Sequence, residues 1–181
     1  MAFVRKLVVA LSLISVVLSE EDNKKPTGIK YEKFEVSPGS EKYMTYKMDA
    51  KQLNDTAFTM AMEMEQLEDM DNNWETTMTF HYSPKNDGKY EEVFKLPKEK
   101  VCDYMEGEIY KEHIYPQFKD LSNFPEPGTC PVPKGSYKVD EHVVNIDDAK
   151  ALGKIGGWRV DTSFFKDGEL VSENKLFFTV F

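Results

Sequence analysis

An antiparallel, mostly β domain with one irregular helix is predicted for this 181-residue chain, and three observations predict it. Two stretches, residues 56–67 and 74–82, alternate between apolar and polar side chains, as half-buried antiparallel strands do. A single stretch, from Lys98 onward, repeats its apolar residues at helical spacing. The connections between such runs are built from Pro, Gly, Asn and Asp, the residues that form turns.

The first 19 residues stand apart from the rest. Arg5 and Lys6 precede an apolar run over residues 7–18, and Ser19 comes just before Glu20-Glu21-Asp22. A basic start, an apolar core and a small residue at the end are the marks of a secretory signal peptide, and the run is short for a membrane span. Residues 20–27 are polar and read as a flexible lead-in. That leaves residues 28–181 as one domain, long enough to bury a real core. The formal net charge is −9, and cleavage after Ser19 makes it more negative. Such an acidic chain is poorly suited to nucleic acid or to an anionic membrane surface. The expectation is a secreted, extracellular protein with no stable membrane insertion.

The strands follow in order. Residues 28–36 carry Ile29, Tyr31 and Phe34 and stop at Ser37-Pro38-Gly39-Ser40. Residues 43–50 alternate Met44, Tyr46 and Met48 with Thr45 and Lys47. In residues 56–67, Phe58, Met60, Met62 and Met64 share one face, with Glu63 and Glu65 opposite. Trp74, Thr76, Met78, Phe80 and Tyr82 share a face of the next strand. The acidic residues 68–73 between these two strands read as a hairpin loop. Pro84-Lys85-Asn86-Asp87-Gly88 signals another turn before residues 89–96.

From Lys98 the period changes. Cys102, Met105 and Ile109, then Tyr110, Ile114, Phe118 and Leu121, follow helical spacing. Gly107 weakens this helix and Pro116 kinks or ends it near Tyr115. After the Pro- and Gly-rich residues 123–135, strands resume over 136–146 and 155–165, the latter with Trp158, Val160, Thr162 and Phe164 on one face. Asp167-Gly168 supplies the positive-φ pair of a tight hairpin. Residues 170–181 are apolar on both faces, which places this last strand centrally or beneath the helix.

Cys102 and Cys130 are the only cysteines. In a secreted chain they most simply form one disulfide tying helix to sheet, free or intermolecular thiols being the alternative. The bridge would close a loop of about 29 residues, for which chain entropy gives about 3.5 kcal/mol. Asn54-Asp55-Thr56 is the only N-glycosylation sequon.

The sequence carries no nucleophile elbow, phosphate loop or H-E-x-x-H zinc motif, and His81, His113 and His142 lie far apart. No cofactor or metal is expected, and an enzyme is the last of the readings. The positive signal is a surplus of flexible apolar side chains: Met44, Met48, Met60, Met62, Met64, Met78 and Met105. Methionine fills irregular space and repacks around varied guests. An ordinary loosely packed core is one reading, and an internal cavity for an apolar ligand is the other. Phe58, Met60, Met62, Met64, Trp74, Met78, Phe80, Trp158 and Phe164 are the candidates for lining such a pocket.

Cys102 within a helix, Ser122-Asn123-Phe124-Pro125, Cys130-Pro131-Val132-Pro133-Lys134-Gly135-Ser136-Tyr137 and Gly157-Trp158-Arg159-Val160 resemble the chemosensory CheB family of insect secreted proteins. That family is in turn similar to the ganglioside activator protein, with its ML-like lipid-recognition fold. The resemblance covers roughly residues 98–181. It implies a β-cup, two antiparallel sheets around an apolar pocket, and a role in pheromone perception through an apolar lipid or hydrocarbon ligand. A chemosensory receptor or channel is then an implied partner. The activator protein has more disulfides than two cysteines allow, which favours the insect branch. A secreted accessory factor for a receptor or channel, or a lipid-presenting cofactor of a glycosidase, are the alternative functions.

Overall fold

The computed structural model describes residues 25–147 and 152–181; the expected signal peptide and residues 20–24 of the expected lead-in lie outside them. Among the described residues nine strands form two antiparallel sheets facing each other. The larger runs β1 (Ile29–Val36), β9 (Glu169–Val180), β8 (Gly156–Lys166), β4 (Trp74–Ser83) and β5 (Glu91–Lys95), with the short β6 (Glu99–Lys100) also paired to β4. The smaller runs β2 (Met44–Asn54), β3 (Ala57–Gln66) and β7 (Gly135–Asn145).

Local chemistry explains where the chain turns. The β8–β9 hairpin closes on Asp167 and Gly168 at φ 52° and 84°, the two positive values a tight two-residue turn requires. Gly156 opens β8 where a Cβ would come within 2.7 Å of the Ser83 carbonyl oxygen on β4. β9 lies inside its sheet between β1 and β8, and Phe177 and Phe178 on its opposite faces are both buried.

One connection differs from the sequence expectation. Residues 68–73 do not close a hairpin, because β3 and β4 belong to different sheets. Met70, inside this stretch, exchanges two 2.9 Å backbone hydrogen bonds with Val132 and is buried. The apolar side chain draws the segment inward, and no glycine supplies the positive φ a tight hairpin needs. β3 instead pairs with β2, which runs four residues past the expected end at Ala50 to meet it.

The sheets close along the β1–β2 side through Gln52. Its Nε2 donates to the Ile29 carbonyl at 2.8 Å, and its Oε1 accepts from the Tyr31 N–H. Between β7 and the β4–β6 edge the gap is covered by the helical segment: α1 (Val101–Glu106), a π-helical turn (Ile109–Ile114) and α2 (Tyr115–Phe118). The helix breaks at Gly107, whose backbone is extended, and Pro116 sits in the first turn of α2. Cys102 of α1 is joined to Cys130 by a disulfide, with Cα atoms 5.4 Å apart. The chain returns to the smaller sheet through a bridge between Ser122 and Val139.

Candidate functional site: a methionine-walled cavity between the sheets

The inward faces of the strands bury two separate cores. One gathers Ile29, Phe58, Ile146, Trp158, Phe178 and Val180. The other gathers Met44, Met70, Trp74, Val101, Met105, Tyr110, Val132 and Tyr137 beneath the helical segment. A cavity of about 180 Å³ lies in this second region. Strand β3 contributes Met64 and Gln66 to its walls, β4 contributes Thr76, Thr77 and Met78, and β8 contributes Thr162 and Phe164. The helical segment adds Val101, Tyr104, Met105, Ile109 and Tyr110, while Met70, Leu96, Phe124 and Val132 come from connections.

Of the nine residues expected to line a pocket, Met64, Met78 and Phe164 border this cavity. Trp74 is buried in the adjoining core, edge-on to Tyr43 at 5.9 Å. Phe58, Met60 and Trp158 belong to the other core, where Trp158 packs against Tyr82 at 5.0 Å. Phe80 packs on Phe94 of β5. Met62 is half-buried, in register with Met48 and Val139. Alternation says which face points inward and is silent on depth along the strand, so it does not separate one end of the sandwich from the other. The lining from the helix and connections had a different signal in the sequence: the helical stripe of Met105, Ile109 and Tyr110.

Most polar groups on the lining are satisfied by the protein. Thr76 Oγ1 donates to the Ser163 carbonyl at 3.2 Å, Thr77 Oγ1 to Leu96 at 2.7 Å and Tyr110 OH to Pro125 at 2.7 Å. The Tyr137 hydroxyl donates to Pro133. The Tyr104 hydroxyl makes no hydrogen bond among the described residues, and its ring packs at a tilt against Tyr110, centroids 5.7 Å apart. Burial, then the nearby Glu99, pushes the Tyr104 phenol up to about 12. Burial and the neighbouring phenols Tyr104, Tyr115 and Tyr137 raise Tyr110 as well. Both therefore stay protonated at neutral pH and act as neutral groups.

Asn54 of the sequon lies exposed at the β2–β3 turn, its Oδ1 accepting from the Thr56 N–H and hydroxyl, each at 2.8 Å. Glu108, Glu112 and His113 bring possible metal ligands together on the helical segment, away from the cavity lining. No helix among the described residues is long and apolar enough to cross a membrane.

Residues 76–159 match a family model described as a protein of unknown function, DUF1091. The match runs from β4 into β8 and takes in both cysteines and the helical segment. None of the curated proteins matches the chain. Among solved structures, that of chicken MD-1 complexed with lipid IVa is similar at 14% identity and a TM-score of 0.37, covering 87% of this chain and 99% of MD-1.

Proposed function

We propose that this protein is a secreted carrier that takes a small apolar lipid or hydrocarbon into the cavity beneath its helical segment. The observation that carries the reading is the cavity itself, about 180 Å³ between the two sheets and beneath the helical segment. The space opens partly to solvent, which gives a guest a way in, and its walls are predominantly apolar, as sites for apolar ligands are. Met64, Met70, Met78 and Met105 on the walls are the side chains best able to repack around guests of different shape.

The setting is extracellular, on the strength of the predicted signal peptide and the disulfide. The resemblance to the chemosensory CheB family supplies the physiological role, pheromone perception, with a receptor or channel downstream.

Native mass spectrometry of the protein secreted from insect cells, followed by solvent extraction, is the test. A non-covalent adduct that extracts as lipid supports the carrier. A clean ligand-free mass, in a protein that also takes up no apolar fluorescent probe, removes it.

A further inference from the structure

The polar groups around the cavity differ in what they still offer a guest. Tyr110, Tyr137 and Thr77 have committed their hydroxyl protons to backbone carbonyls, which leaves them only acceptor capacity. Gln66 carries this furthest. It is 2% exposed, and its Nε2 donates to the carbonyl oxygens of Glu68 at 3.0 Å, Val132 at 3.0 Å and Pro133 at 3.1 Å. Those three acceptors define the orientation of the amide, since reversing it sets oxygen against oxygen. Its Oε1 accepts no hydrogen bond from any described residue. Among those residues no fully occluded side-chain polar atom lacks a partner, so Oε1 keeps an open face. Gln66 is among the residues that line the cavity.

We propose that the cavity selects an apolar ligand bearing a free hydroxyl group, whose proton is accepted by Gln66 Oε1. The inference rests on the carrier reading and adds to it the polar end of the ligand. A buried acceptor left without a donor is more costly than the hydrogen bond is favourable, so a pure hydrocarbon leaves Gln66 unmatched. At Gln66 Oε1 an ester brings only lone pairs to a lone pair. A carboxylate does the same with a full charge, on a lining that already includes Glu99. An alcohol supplies the missing proton and remains neutral.

The test is displacement of an apolar fluorescent probe from the folded secreted protein by a long-chain alcohol and by the alkane, methyl ester and carboxylate of equal length. All are compared at equal free concentration. The alcohol is expected to displace the probe about tenfold more effectively than the alkane or the ester. Equal displacement by all four, or a preference for ester or carboxylate, overturns the hydroxyl subsite and leaves the carrier reading standing. A probe that fails to bind overturns the carrier reading, and this inference with it. In Gln66→Met the alcohol should fall to the level of the alkane, and an undiminished preference in the folded variant overturns the assignment to Gln66. That substitution also strips three carbonyls of their donor, so its fold is checked by circular dichroism, and the wild-type series decides by itself if the variant does not fold.

Discussion

Tyr104 ties the cavity to the pH range over which the fold holds. Its phenol sits at about 12 in the folded protein against an ordinary 10.0, because burial, and then Glu99, penalise the phenolate. A group whose folded pKa is raised contributes stability that is complete below the unfolded value and is lost as pH rises through the folded one. Thermal unfolding followed from pH 8 to 12 should therefore show the melting temperature falling above about pH 10, and Tyr104→Phe should blunt that fall. At neutral pH the same substitution should shift stability by no more than about 0.5 kcal/mol, since the hydroxyl has no protein partner to lose. An unchanged alkaline limb in Tyr104→Phe would take this phenol out of the account. His81, on β4, runs the opposite way. Burial, and then Arg159, lower its pKa although Asp161 lies 3.1 Å away, because that carboxylate is already gripped by Arg159 at 2.8 and 2.9 Å. A depressed histidine contributes stability that is present above about pH 6.5 and is lost on acidification through its folded value. His81→Gln should flatten the fall in stability on acidification below about pH 6.5, read by urea unfolding in that acid range.

Among the elements, the helical segment shows most plainly what a linear pattern reveals and what it omits. The breaks were legible because their cause is local: Gly107 has no side chain to favour the helix, and Pro116 has no N–H to donate. The β8–β9 turn was legible for the same reason, through Asp167 and Gly168. The connection 68–73 was not, because its path depends on Met70 pairing with Val132, 62 positions away in the sequence and in another part of the fold. Candidate pocket residues divide along the same line. Periodicity finds the inward faces of β3, β4 and β8, whereas a cavity forms wherever two sheets and a helix fail to meet, a property of three elements together. The disulfide acts at this scale, holding α1 against the loop before β7. With the cysteines 28 positions apart, Cys130→Ser should lower unfolding free energy by about 3.5 kcal/mol, measured by urea denaturation. A loss below about 1 kcal/mol would mean that the unfolded chain is constrained by other means.

Across the whole molecule, the two cores sit at opposite ends of one sandwich and differ in kind. One is filled with Phe58, Trp158 and Phe178, rigid side chains of fixed shape, and it anchors the sheets to each other. The other is walled by methionines under a broken helix and contains the cavity, so the deformable end of the protein is also its hollow end. This division lets the space change without loosening the sheets, and it makes the cavity separable from the fold by mutation. Met78 stands on the inward face of β4 and borders the cavity, where a larger ring has room to enter. Met78→Trp should therefore leave the melting temperature of the ligand-free protein unchanged or raise it, because filling a void recovers contacts the empty space forfeits. The same change should weaken uptake of an apolar probe at least tenfold by occupying the ligand's place. Filling that destabilises the fold would mean the walls do not yield as methionines should. Full uptake by a stable Met78→Trp protein would put the ligand somewhere other than this cavity, and the carrier reading would lose the site on which it stands.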